Sequence, residues 1–173
     1  MADASITSVD KKIPIIKDGY KIKAKGVYNL EDLYVELKQW FEHMGYAWKE
    51  IEYKVVAQKG GGQRLELLWQ GKKEVDKYSS FIIKLNLGAD ISDVEVTLDN
   101  GAKVKRQKGT LEFRSGATIE RNIDVWKGKF MGNILAKFYE ILIRDRLKAQ
   151  EGQLYGEAHK LYEELKAFMM IYH

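Results

Sequence analysis

The chain has 173 residues, of which 45% are hydrophobic and 31% charged, with one proline and no cysteine. That composition fits one globular domain, 1–173, and excludes disulfides, thiolate metal sites and cysteine nucleophiles. The net charge of +4 is concentrated in residues 1–28, with six lysines against three aspartates, and in 101–130, with eight Lys/Arg against three acids, so any polyanion contact is to be sought there.

Residues 1–12 lack the apolar core of a signal peptide and are expected to form a flexible lead-in. No apolar run approaches the length of a membrane span, so a soluble, cytoplasmic protein is expected. Ile13-Pro14-Ile15-Ile16 and Tyr20-Lys21-Ile22-Lys23-Ala24-Lys25 read as a short strand pair turning at Asp18-Gly19, with Pro14 marking a sheet edge. Asn29 then reads as a helix N-cap, with Glu31 and Asp32 in the first turn complementing the helix dipole. Leu30, Leu33, Leu37, Trp40, Phe41 and Met44 recur at spacings of three and four, which predicts one buried stripe ended by Gly45.

Beyond Gly45 the period changes to two and stays there for about 80 residues. Ile51, Tyr53 and Val55 alternate with Glu50, Glu52 and Lys54; Leu65, Leu67 and Trp69 with Glu66 and Gln70; and Phe81, Ile83, Leu85 and Leu87 with Lys84 and Asn86. Val94, Val96 and Leu98, then Leu111 and Phe113, continue the pattern, so each strand is expected to have one dry and one wet face. Gly60-Gly61-Gly62, Gly71-Lys72-Lys73 and Asp99-Asn100-Gly101 read as tight turns between sequential antiparallel neighbours. From Phe130 the helical period returns in Ile134, Leu135, Phe138, Ile141 and Leu142. It continues in Leu154, Ala158, Leu161, Leu165, Phe168 and Tyr172, with Tyr155, Tyr162 and Met169 as a flanking row. Gly152 and Gly156 leave open one kinked helix or two joined near Glu151-Gly152.

These elements predict an α+β fold: a curved antiparallel sheet of six or seven strands, packed on one face by an N-terminal helix and a long C-terminal helix or helix pair. The element order resembles the helix-grip arrangement of START-like and polyketide-cyclase-like ligand-binding proteins, in which a curved sheet wraps a long C-terminal helix around an apolar cavity. The resemblance is one of topology, without a shared motif, and those families usually carry two helices after the first strand where this chain has one. The composition is also similar to that of small archaeal proteins rich in Lys, Glu and Tyr, a likeness that implies no function.

No residue pattern demands a cofactor. His43, His159 and His173 have no partner at metal-ligand spacing, and there is no HExxH or EF-hand loop. Gly60-Gly61-Gly62 lacks the Gly-Lys-Ser/Thr of a phosphate loop and leads into a strand. The carboxylate pairs Glu50/Glu52 and Glu163/Glu164 read as solvated faces, not as acid–base pairs with separated pKa values. Lys103, Lys105, Arg106 and Lys108, with Arg114 and Arg121 on following residues, form a basic hairpin suited to phosphates, although Glu95, Glu112 and Glu120 are expected on the same face. Trp126, Phe130 and Met131, among Lys127, Gly128 and Lys129, read first as a packed corner of the core, with a membrane or partner contact as the alternative.

The leading reading is a non-enzymatic binding module that holds an apolar small molecule between sheet and C-terminal helix, lined by Trp48, Trp69, Phe81, Phe113, Phe138 and Leu161. Alternatives are a nucleic-acid or ribonucleoprotein contact through the basic hairpin, and an enzyme of unrecognised type. The regular apolar tail makes a homodimer through the C-terminal helix a further candidate.

Overall fold

The period-two segments assemble into a curved, wholly antiparallel sheet in the order β1-β5-β4-β3-β2, with helices on one face. The computed structural model describes residues 9–171; residues 1–8, Tyr172 and His173, and the expectations that fall on them, lie outside the described residues. The strands are β1 (Lys12–Tyr28), β2 (Ala47–Ala57), β3 (Gln63–Glu74), β4 (Ser79–Thr97) and β5 (Lys103–Arg121). The helices are α1 (Leu30–His43) between β1 and β2, then a 3-10 turn at Ile123–Trp126, α2 (Gly132–Leu142) and α3 (Arg144–Ile171).

The expected strand segments form, joined into longer continuous strands. The expected hairpin at Asp18-Gly19 is an irregularity inside β1, which pairs with β5 both before Ile16 and after Tyr20, giving six paired segments in five strands. Gly19 has φ +66°, and a Cβ there would run into the Ser115 carbonyl oxygen, so its freedom serves a bulge and not a turn. The expected lead-in is also shorter: the Arg121 amide donates to the Lys11 carbonyl at 2.7 Å, and Lys11 pairs with Asp124 at 2.9 Å.

β4 absorbs two expected strands, and Val94 and Val96 fall on the opposite face from Ile91 because no bulge resets the alternation between them. β3 pairs with β4 only as far as Ile91, and β1 with β5 only as far as Gln107. Residues beyond these points form a two-stranded ribbon with free edges, which explains why its valines are only half-buried.

The core fills the space between the sheet and the two longer helices. Leu65, Leu67 and Trp69 of β3, Phe81, Ile83, Leu85 and Leu87 of β4, and Leu111 and Phe113 of β5 meet Leu33, Leu37 and Phe41 of α1. Leu154, Ala158, Leu161, Leu165, Phe168 and Met169 of α3 join the same cluster. The helix break falls at Ile143, between α2 and α3, and not near Gly152; a Cβ at Gly152 or Gly156 would meet nothing, so these glycines sit in the helix without a packing role. The flanking row of α3 also finds a partner, since Tyr162 lies 4.7 Å from Tyr20 on the β1 edge, ring to ring. Burial and the neighbouring Tyr155 push the Tyr20 hydroxyl up to about 12.

Candidate functional site

α1 crosses the sheet from the β1 edge to the β2 edge, and its two ends meet the sheet differently. At its C-terminus Gly45 (φ +81°) follows the Met44 cap; the Tyr46 amide donates to the Phe41 carbonyl at 2.8 Å and the Gly45 amide to Glu42 at 3.0 Å, a Schellman closure. Phe41 sits directly over β3 because residue 71 is glycine, where a Cβ would overlap its ring. The Tyr46, Trp48 and Trp40 rings, all within 6 Å of Phe41 centroid to centroid, fix that end of the helix.

Toward the N-terminus of α1 the helix and sheet enclose an open cleft of about 630 Å³. Its floor is the dry face of the meander: Leu65, Leu67, Leu87 and Ile91. Tyr53 and Val55 of β2 and Leu30 and Tyr34 of α1 form the walls. Tyr53 and Val55 lie on the helix side, opposite Leu67 and Leu65, yet are 61% and 45% exposed, so the alternation predicted their face but not that α1 would leave them uncovered. Their register follows from a bulge at Ile51, which places Glu50 on the helix side as well. There Glu50 accepts hydrogen bonds from the Tyr34 hydroxyl and the Trp69 indole, both at 3.2 Å, instead of sharing a solvated face with Glu52. Burial, then Glu50, raises the Tyr34 hydroxyl above its ordinary range, keeping it a donor.

Lys105, Arg106 and Gln107 stand at the other end of the cleft. Gln107 accepts the Leu30 amide at 3.3 Å, doing for the first turn what the Asn29 side chain does not. Arg106 makes a hydrogen bond to the Lys105 carbonyl and, among the described residues, no ion pair. The cleft therefore joins an apolar floor to a cationic mouth, with Glu31 as the acid along its rim.

The residues expected to line a space under the C-terminal helix lie elsewhere or are packed solid. Trp69, Phe81, Phe113 and Leu161 are fully buried in one continuous cluster, and the Trp48 ring lies 5.2 Å from that of Trp69, tilted by 36°. Phe138 is on α2, 61% exposed and outside that cluster. Of the six, only Trp69 borders the cleft. Leu30 and Tyr34, four residues apart on α1, were within reach of the helical period; the bulge at Ile51 left no mark, because charged residues flank it on both sides.

The basic hairpin does not form one surface. Lys103, Lys105 and Arg121 alternate along β5 with Arg106, Lys108 and Arg114, so the two sets leave the strand on opposite faces; only Lys105 and Arg106, where neither edge of the ribbon is covered, both border the cleft. Lys103 pairs with Glu95 at 3.9 Å and Arg114 with Glu112 at 2.8 Å. Arg121 is turned inward, donating to both Glu140 oxygens at 2.7 and 2.8 Å, while the Tyr78 hydroxyl donates to the same carboxylate at 2.9 Å.

A second inward carboxylate fastens α3 to the sheet. Glu157 accepts from Lys73 at 2.6 Å, Tyr46 at 2.6 Å and Gln153 at 3.0 Å. Burial pushes its carboxyl up, but Lys73, Tyr46 and Gln153 together hold it below the ordinary range. Apart from the buried Arg121 Nε, which has no hydrogen-bond partner, both clusters are internally satisfied, and among the described residues no three His, Asp or Glu side chains converge as metal ligands. No protein-family model matches the chain, and no curated protein is similar to it.

Proposed function

We propose that this protein is a non-enzymatic binding module whose ligand is a small amphiphile, with its apolar body in the cleft beneath α1 and an anionic group at Lys105 and Arg106. The observation that carries the reading is the uncovered apolar face of β2, Tyr53 and Val55, continuing a buried floor of Leu65, Leu67, Leu87 and Ile91. About 630 Å³ lies within the usual range for small-molecule sites. A carboxylate or phosphate head would meet a guanidinium that lacks a carboxylate partner, and a charge-assisted contact of that kind fixes orientation as well as affinity. The strand order, with the first strand beside the last and a helix passing from edge to edge, supports the helix-grip resemblance. The ligand space proposed here lies under the first helix and not under the C-terminal one.

Titration with dodecanoate and with dodecanol, followed by tryptophan emission from Trp69 at the cleft wall, tests the reading. Both should bind, the acid more tightly. Arg106→Ala should remove that preference, and Val55→Glu should abolish binding of both without altering the thermal midpoint, because the position is exposed. Failure of both ligands to bind, or binding indifferent to both substitutions, would overturn it.

A further inference from the structure

Helix α2 is amphipathic, but it is mounted the other way round from α1. Ile134, Leu135, Phe138, Ile141 and Leu142 share one face of the helix, and all five are exposed, Leu142 to 69%. Ala136 and Glu140, four apart on the opposite face, turn to the protein: Ala136 is the buried residue of α2, and Glu140 is held by Arg121 and Tyr78. The apolar side is thereby committed to the outside by an ion pair on the inside. Phe130, 91% exposed, and Met131 extend the patch at the helix N-terminus, and Val125 adds to it from the 3-10 turn. Eight large apolar side chains within eighteen residues are more than an ordinary monomer surface carries in one place.

The charges around the patch select its occupant. Asp124 is engaged by Lys11 and Lys127, and Glu140 points inward, so neither offers a free negative charge. Lys129, whose ammonium sits 5.1 Å over the Trp126 ring, and Lys137 flank the apolar face, and Arg144 follows at the start of α3 beside the one exposed acid there, Asp145. Two copies docked symmetrically through α2 would bring like-charged rims together. An anionic lipid surface instead complements the rim, and its acyl boundary takes the phenylalanines and leucines. With 11 residues, α2 is about 16 Å long, too short to span a bilayer but suited to lie in its interface. Trp126 and Tyr139, whose rings are 5.6 Å apart, border the patch with residues that favour the headgroup level.

We propose that the outward face of α2, with Phe130 and Met131, docks this protein on the surface of an anionic lipid bilayer. The surface is independent of the ligand cleft: Tyr78, against α2, precedes the start of β4, and Ile91, in the cleft, lies about 40 Å farther along that strand.

Flotation of the full chain with vesicles of phosphatidylcholine alone, and of phosphatidylcholine with phosphatidylserine, tests this directly. The wild type should float with the anionic vesicles, and binding should fall at least about tenfold on neutral vesicles or in high salt. A Phe130→Ser/Phe138→Ser/Ile141→Ser variant should lose binding to both, and Lys129→Glu/Lys137→Glu should lose it to the anionic vesicles. Each variant should keep the wild-type circular dichroism, because the substituted side chains are at the surface. Equal flotation on both vesicle types, or flotation untouched by the triple substitution, would overturn the proposal. So would no flotation, whether light scattering showed a monomer or a dimer dispersed by the triple substitution. Dodecanoate binding should be the same in all these variants, which separates failure here from failure of the cleft reading.

Discussion

Replacing Glu157 by glutamine removes one charge and almost no volume from the contact that fastens α3 to the sheet. The side chains of Lys73 and Glu157 are 17% and 11% exposed and meet at 2.6 Å, so the variant leaves a largely buried ammonium without its counter-ion. Breaking a fully buried pair costs about 3–5 kcal/mol; the residual exposure, together with the Met44 carbonyl that Lys73 also reaches at 3.2 Å, lowers the expectation to about 2–3 kcal/mol. For a chain of this size that is a fall of roughly 4–12 °C in thermal midpoint. Glu157→Ala should cost more, because the buried Tyr46 hydroxyl then loses its acceptor, worth about 1–3 kcal/mol. The effect carries a pH signature. The folded carboxyl sits below its ordinary value of 4.5, so its stabilisation is complete above that value and is lost as the pH falls through the folded one. The gap between wild type and Glu157→Gln should therefore be widest near neutrality and close on acidification. Urea unfolding of both proteins from pH 7 to pH 3, with Lys73→Met/Glu157→Leu completing the comparison, checks the magnitude and the sign. A glutamine variant within about 0.5 kcal/mol of wild type at pH 7, or a gap that widens in acid, would refute the reasoning.

Two further substitutions probe how the helices are seated. Gly71→Ala should destabilise by about 1–3 kcal/mol, because the new methyl overlaps the Phe41 ring; Gly71→Ala/Phe41→Leu should recover part of that loss, as denaturant midpoints would show. Glu140→Ala strands the inward guanidinium of Arg121 and should free α2 from its mounting, so amide exchange in 132–142 should accelerate well before global unfolding does.

The parts of the fold that are readable from the sequence are those in which one face is buried throughout. Leu33, Leu37 and Phe41, the β3 to β5 alternation, and the stripe Leu154, Ala158, Leu161, Leu165 all lie where their periods place them. The period identified amphipathic elements but not what lies opposite the apolar side. Ile134, Phe138 and Ile141 read as a core stripe, yet they face outward because Glu140 finds Arg121, an ion pair between segments with no common pattern. Tyr53 and Val55 lie on the face that the alternation predicts and are left uncovered by the path of α1, which Phe41 and Gly71 anchor at its far end. Gly19 and Ile51 sit at bulges that composition cannot distinguish from a turn or a plain strand. The candidate cleft depends on the bulge at Ile51 and on the path of α1, and for that reason its residues are not legible as a set.

The claim that this is a ligand-binding module is tested most directly by amide chemical-shift mapping of the isotope-labelled protein titrated with dodecanoate. Saturable shifts should be confined to Leu30 and Tyr34 of α1, Tyr53 and Val55 of β2, Leu65 and Leu67 of β3, and Lys105 to Gln107 of β5. Shifts centred on Phe138 and Leu142 instead, or none at all, would contradict it.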